Sequence, residues 1–313
     1  MKKDSRIFVA GHNGLVGSAI VKKLKIEGYT NIITMPSKEL DLRSQFAVNY
    51  YFKEIQPEYV FMCAAKVGGI KANSEQKGSF IYDNLMIQTN IINSAKIWDV
   101  KKMIFLGSSC IYPKMCQQPI KEEYLLSGYL EASNDAYAVA KIAGIKMCQS
   151  YNEQYGTNFI SVMPTNLYGI GDNYHSENSH VIPGLIRRFH EAKINNIKEV
   201  ICWGDGSPMR EFLFNEDLAD ACIFLMNNYD SSDILNIGTG KDMSIKELTE
   251  IIKNIIYPEA NIVFNNDTNL NGTPRKLLDT TKINTLGWYP RVSFKEGIKI
   301  AYEDFLSKSI TVI

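Results

Sequence analysis

Arg6-Ile7-Phe8-Val9-Ala10-Gly11-His12-Asn13-Gly14-Leu15-Val16-Gly17 decides the fold, together with Ser18-Ala19-Ile20-Val21-Lys22-Lys23-Leu24 behind it. A short apolar run leads into three glycines spaced G-x-x-G-x-x-G, and a good helix pattern follows. Strand, glycine turn and helix in this order form the dinucleotide-binding arrangement. The glycines let backbone approach a pyrophosphate, which sits where free N–H groups and the helix dipole favour an anion. Gly11, Asn13, Gly14, Leu15, Val16 and Gly17 are therefore candidate cofactor residues. Three glycines alone are a weak signal; the flanking strand and helix at the start of the chain raise it.

Working outward, Asn31-Ile32-Ile33-Thr34-Met35 reads as a second strand. An acid near its end would hold a ribose 2′-hydroxyl. Here Pro36-Ser37-Lys38 stands instead, and the hydroxyl of Ser37 and ammonium of Lys38 suit a 2′-phosphate, favouring NADP(H). Lys38 also reads as an ordinary solvated lysine. Asp41 and Leu42 lie where the chain approaches an adenine. Tyr59-Val60-Phe61-Met62-Cys63-Ala64-Ala65 is a third strand, and small Ala64 and Ala65 at its end permit close approach to a ligand. Residues 83–99 read as a long helix.

Met103-Ile104-Phe105-Leu106 is the next buried strand, and Ser108 and Cys110 follow its end. Tyr137 and Lys141, four apart, share one helical face, and Ser133 or Asn134 caps that helix. A phenol has a reference pKa of about 10; a fixed ammonium nearby is expected to lower it. Ser108, Tyr137 and Lys141 can together protonate a ketone oxygen as hydride reaches its carbon. Strands alternating with helices to Pro164 predict an α/β fold, a Rossmann-type doubly wound parallel sheet over residues 1–165. Residues 166–313, richer in Asn, Gly and Pro loops, read as a smaller mixed α/β substrate-binding region, with some chain returning to the first.

The 313 residues carry 34 Lys+Arg against 34 Asp+Glu, which argues against nucleic acid or an anionic membrane as a partner. Forty-five per cent hydrophobic residues are enough to bury a proper core. Six scattered cysteines without C-x-x-C point to reduced thiols in a cytoplasmic protein and to no metal. No apolar run approaches the ~18–20 residues of a membrane span.

The glycine turn, Ser108 and Tyr137-x-x-x-Lys141 resemble the extended short-chain dehydrogenases/reductases. Longer strings narrow this to the GDP-L-fucose synthase family: residues 64–70, 106–113, 138–144, 162–169, 178–183 and 208–213. The resemblance covers residues 6 to about 306. It implies an NADPH-dependent enzyme acting on a GDP-linked 4-keto-6-deoxy sugar, inverting C3 and C5 and then reducing C4. It implies Cys110 and His180 as the acid/base pair, whose reference pKa values of about 8.5 and 6.5 bracket neutrality. It adds Pro164, Asn166, Leu167 and His180 to the cofactor contacts, and Arg188, Trp203, Arg210 and Lys276 to the GDP contacts. It also implies a homodimer. Taken by itself, Cys110 reads as packing, His180 as a cap, Trp203 as core and Arg188 as a surface charge.

Several positions depart from the family. Asn13 and Ser37 stand where arginine is frequent, Asn271 where aspartate is common, and Phe214 where histidine or tyrosine is usual. The last two lie in the substrate half, and they keep open a stand-alone C4-keto reductase acting on a GDP-4-keto-6-deoxy-heptose. A non-catalytic NADP(H) sensor fits poorly, because Tyr137 and Lys141 are both present.

Overall fold

The structure, a computed structural model, describes residues 1–176, 179–267 and 271–309; Asn178, part of one family-like string, lies outside them. In chain order the first half is β1 (Ile7–Ala10), α1 (Leu15–Ile26), β2 (Ile32–Ile33), α2 (Gln45–Ile55), β3 (Tyr59–Met62), α3 (Ile70–Glu75), α4 (Lys77–Ile97), β4 (Lys102–Leu106), α5 (Asp135–Tyr155) and β5 (Phe159–Pro164). The second is β6 (Asn166–Tyr168), α6 (Val181–Ile194), β7 (Glu199–Cys202), β8 (Met209–Phe214), α7 (Asn215–Asn228), β9 (Leu235–Ile237), β10 (Asp242–Ser244), α8 (Ile245–Ile256), β11 (Asn261–Phe264), β12 (Arg275–Lys276), α9 (Thr281–Thr285) and α10 (Phe294–Ser309).

Six parallel strands form the main sheet in the order β2-β1-β3-β4-β5-β9. Every residue of β4 and β5 is buried, which is why these strands are apolar apart from Lys102 and Ser161: helices cover both faces. Core residues on one face come from α1 and α7 (Ile20, Leu24, Leu218, Leu225). Those on the other come from α2, α4 and α5 (Phe52, Ile91, Ile145). The strand order reverses between β1 and β3, so the crevice beyond their carboxyl ends is the expected ligand site.

A smaller sheet, β10-β8-β12 with β6 on β8, and the parallel pair β7–β11 carry the second half. Around them α6, α8 and α10 enclose a third core containing Phe189, Leu248 and Ile298. The halves are knotted together. β9 is the sixth strand of the main sheet, and α7 packs on α1. Glu211 of β8 is fully buried. Its carboxylate accepts backbone N–H bonds from Thr239 (2.6 Å), Gly240 (2.7 Å) and Leu278 (3.0 Å).

The elements differ from the sequence reading in bounds. The second strand keeps only Ile32 and Ile33 of the expected residues 31–35, because it is an edge strand and Pro36 diverts the chain. α4 begins at Lys77, ahead of residue 83; its opening turns are held by Phe80, buried against Tyr137 of α5.

Candidate active site

The glycine turn sits at the switch point. Gly11 has φ of 83°, the left-handed region that favours glycine. A Cβ built on it would lie 2.7 Å from the Ala64 nitrogen, and one on Gly17 would lie 2.2 Å from the Gly11 oxygen. Three backbones therefore meet closely here: the turn, the start of α1, and the segment leaving β3. Gly14 N–H closes the turn on Gly11 O at 3.0 Å, and Gly14 caps α1. The amino end of α1 thus faces open space beside Asn13 and Gly14, both exposed, and a dinucleotide diphosphate fits this cradle. Ser37 and Lys38 are exposed on the turn of residues 37–39 beyond β2, free to face a 2′-phosphate.

Three other candidates are placed differently from a simple contact list. The Asp41 carboxylate is engaged by Arg43, through Nε and Nη2 at 3.0 Å each and the backbone N–H at 2.9 Å. The Asn166 amide donates to Glu211 O at 2.8 Å. Leu167 packs against the main core and pairs with Leu213 in the β6–β8 ladder, close in sequence to Pro164 at the end of β5.

The reacting groups gather at the ends of β4 and α5. Ser108 follows the buried strand and caps a single turn of 3-10 helix, residues 109–111, accepting from Cys110 N at 3.4 Å. Its hydroxyl lies near enough to the Tyr137 phenol and the Cys110 thiol to favour the ionised form of each. One helical turn beyond Tyr137, Lys141 is 3% exposed. Its Nζ donates to Leu106 O at 2.8 Å and lies 5.8 Å from the Tyr137 ring centroid. Phe80 of α4 meets Tyr137 edge-on at 6.5 Å.

Burial governs the protonation of this group. It lowers the Lys141 pKa to about 8, with Cys110 and Cys63 pulling the other way. It raises the Tyr137 phenol well above its ordinary value, with Cys110 adding to the effect and Ser108 opposing it. This corrects the expectation of a lowered phenol: desolvation sets the direction, and the ammonium one helical turn away does not reverse it. A proton donor to a ketone must arrive protonated, so the raised value suits reduction. Burial also raises the Cys110 thiol, opposed first by Lys276 and then by Ser108 and Lys141. His180 starts α6; solvent reaches it, yet the protein crowded around it lowers its pKa. The resting site therefore holds a neutral thiol and a neutral imidazole.

On the substrate side the Arg188 guanidinium lies 3.9 Å over the Trp203 ring. Trp203 is 47% exposed, so neither the core reading of Trp203 nor the surface-charge reading of Arg188 holds. Lys276 pairs in register with Arg210 on adjacent strands. Burial lowers Arg210 to about 10, with Glu131 opposing. Arg210 donates to Met209 O and Asn271 O at 2.9 Å each. Two cationic side chains thus stand side by side on neighbouring strands.

Glu131 is a residue the sequence reading missed. It pairs with Lys114 at 2.9 Å, meets Thr273 at 3.5 Å, and offsets the charge of both Arg210 and Lys276. Among the several acids of the 112–134 loop nothing in its spacing marks it. Asn236 docks that loop: it accepts from the Tyr112 hydroxyl at 2.7 Å, while its backbone N–H donates to Glu122 at 3.0 Å. Phe214 is 2% exposed and packs on Tyr168 at 5.7 Å, so that departure is core packing. Asn271, whose side chain accepts from Asp205 N at 3.3 Å, stays on the substrate side.

A serine, tyrosine and lysine meeting beyond a glycine turn is the arrangement of the short-chain dehydrogenases/reductases, an oxidoreductase class that works on a dinucleotide. The chain belongs to the NAD dependent epimerase/dehydratase family, which it matches over residues 7–238. It is 54% identical to "Putative GDP-L-fucose synthase 2" of Arabidopsis thaliana, over 99% of this chain and 94% of that one. It is 48% identical to "GDP-L-fucose synthase" of Escherichia coli (strain K12), over 96% of each. Among solved structures, the GDP-mannoheptose C4 reductase from Campylobacter jejuni with NADP bound superposes with a TM-score of 0.89 at 42% identity, covering 98% of this chain and 99% of that one.

Proposed function

We propose that the protein converts a GDP-4-keto-6-deoxy-mannose-type sugar to GDP-L-fucose, inverting C3 and C5 and reducing C4 with NADPH. The observation that carries this reading is the shared hydroxyl of Ser108. It accepts from the Cys110 backbone at 3.4 Å and lies beside both the Cys110 thiol and the Tyr137 phenol, which supports one sugar ring meeting the thiol and the reducing groups together. Relatives named as GDP-L-fucose synthases, aligned over nearly the whole chain, support it.

In this reading the turn of residues 11–17 takes the diphosphate, Ala64 and Ala65 line the cleft, and Lys38 faces the 2′-phosphate. Bound there, NADPH supplies hydride to C4. Ser108 fixes the C4 oxygen, Tyr137 gives it a proton, and Lys141 steadies the phenolate left behind. The C3 and C5 hydrogens lie α to the ketone and are acidic enough for a side-chain base. A neutral imidazole can accept a proton and a neutral thiol can give one. The thiolate–imidazolium pair left after one inversion holds the same total of protons as the thiol–imidazole pair it came from, so the His180–Cys110 pair can also run in reverse. Trp203 and Arg188 take the guanine end, and Arg210 and Lys276 the diphosphate.

A homodimer and a cytoplasmic setting belong to the same reading. Exposed Tyr82 of α4 and Val139 of α5 offer an apolar contact, and sedimentation at micromolar concentration reads it. The six cysteines are free; among the described residues no helix is long and apolar enough to cross a membrane.

The second reading, C4 reduction of a GDP-linked heptose without epimerisation, is favoured by the likeness to the GDP-mannoheptose C4 reductase. One incubation with GDP-4-keto-6-deoxymannose and NADPH in heavy water separates the two. GDP-L-fucose carrying deuterium at C3 and C5 is expected. A C4-reduced product without deuterium sinks the epimerase.

A further inference from the structure

Asp83 of α4 divides its carboxylate between two chain segments that are distant in sequence. Oδ1 accepts from Arg43 Nη1 at 3.2 Å, and Oδ2 accepts from Lys66 Nζ at 3.2 Å. Arg43 belongs to the segment leaving β2, the same segment as Ser37, Lys38, Asp41 and Leu42. Lys66 directly follows Ala64 and Ala65 in the segment leaving β3. These are the two segments between which the adenosine end of a dinucleotide lies when its diphosphate rests on the glycine turn.

Both segments need an outside anchor. β2 is two residues long, so few ladder bonds fix the chain that leaves it. The segment beyond β3 runs without regular structure to α3. α4 supplies the missing anchors. The Asn84 side chain exchanges two bonds with the Lys66 backbone, accepting from its N–H at 2.9 Å and donating to its carbonyl at 3.0 Å. Ser79 accepts from Lys66 Nζ at 2.9 Å, and Asn90 donates to Leu42 O at 3.0 Å. Arg43 in turn holds the Asp41 carboxylate in a two-pronged grip. The Asp83 side chain is 16% exposed. Burial works against its charge, yet Lys66 and Arg43 keep its pKa below the ordinary value.

We propose that Asp83 is a positioning residue that clamps the β2 and β3 exit segments at the spacing the adenosine half of the cofactor requires. It acts through Arg43 and Lys66 and touches neither the nicotinamide nor the sugar. The proposal rests on the dinucleotide lying across the switch point as described above. A displacement of either segment breaks one ion pair, so ordering is shared between the two walls. Half-exposed pairs are individually weak, so the effect is one of affinity and leaves the chemistry unaltered.

The test is Asp83→Asn in the full chain, assayed with a saturating keto sugar and two hydride donors: NADPH and dihydronicotinamide mononucleotide, which has no adenosine. The expected result is a rise of about three- to tenfold in the KM for NADPH, with kcat unchanged. The kcat/KM for the mononucleotide and the KM for the sugar should match wild type. Arg43→Lys, which keeps the charge but loses the fork, should give a smaller rise of the same kind. An unchanged KM for NADPH, or an equal loss with the mononucleotide, overturns the clamp. If wild type uses the two donors equally well, the cofactor placement itself is wrong. Should Asp83→Asn fail to fold, Arg43→Met releases one arm from an exposed side chain, and an unchanged KM there overturns the clamp equally.

Discussion

Lys141 Nζ donates to the Leu106 carbonyl at 2.8 Å, tying the helix that carries Tyr137 to the last residue of the strand that presents Ser108. A buried ammonium held by one carbonyl is poorly solvated, and its pKa falls to about 8 for that reason. The hydrogen bond thus fixes geometry while burial sets the titration.

A pH profile follows with a definite sign. The ammonium is the form present below pH of about 8, and it is lost as pH rises through that value. The kcat/KM for NADPH-dependent reduction should be level near neutrality and fall about tenfold per unit above the midpoint. Lys141→Met should lower the rate at all pH values and remove that alkaline limb. A wild-type rate still rising at pH of about 9 contradicts the assignment.

Tyr137→Phe removes the proton donor without changing the ring that meets Phe80. Reduction should drop by ~10²–10⁴-fold. NADPH binding, followed by fluorescence, should stay within about twofold, because the phenol is a small part of the cofactor contact. Turnover at the wild-type rate would remove Tyr137 from the chemistry.

Cys110→Ser keeps the bond to Ser108 but replaces a thiol by a hydroxyl far harder to ionise. Deuterium incorporation at C3 and C5 should fall by at least about 10²-fold, while reduction at C4 continues through Tyr137. The expected product is an unepimerised 6-deoxy sugar. His180→Asn should show the same split; its neutral imidazole is favoured by burial, so wild-type exchange should persist below the ordinary histidine midpoint of about 6.5. Equal loss of exchange and reduction in Cys110→Ser would mean that the thiol merely shapes the pocket.

Asp172 gives a stability prediction outside the chemistry. It is 9% exposed, its Oδ2 has no hydrogen-bond partner, and burial raises its pKa to about 7 from 3.8. The folded protein thus prefers the protonated acid. That advantage is fully present below pH of about 4 and is lost as pH rises through about 7. Asp172→Asn copies the neutral acid and should raise Tm at pH 8 by a few degrees, equivalent to about 1–3 kcal/mol. The gain should shrink toward pH 5. A lower Tm at pH 8 would show that the charged form is the one the fold uses.

Local signals carried much of this molecule in its sequence. Gly11 and Gly17 announced the turn because a Cβ on either would lie within 2.7 Å of backbone atoms, which admits no side chain. Tyr137 and Lys141 were readable because helical spacing alone brings them together. The return of α7 and β9 to the first core had no such marker, since β9 is only Leu235-Asn236-Ile237, a three-residue strand with a polar centre. Arg43, Asp83 and Lys66 form their cluster across gaps of 40 and 17 residues, and no periodicity links such positions. Glu131 was hidden for the same reason. The raised phenol was missed because burial of the whole group, a property of packing, sets the direction, and spacing reveals only the one neighbour.

Glu211, sealed among the N–H groups of Thr239, Gly240 and Leu278, limits how such an enzyme can be altered. The strand that bears it belongs to the sugar side, while Thr239 and Gly240 leave the last strand of the cofactor sheet. Exchanging the stretch around β8 alone would leave the N–H groups of Thr239, Gly240 and Leu278 without their acceptor, and exchanging everything after residue 165 would delete β9 from the main sheet. New sugar preferences are therefore reached by editing loops in place, such as the turn holding Asn271, and wholesale exchange of modules is closed to this architecture.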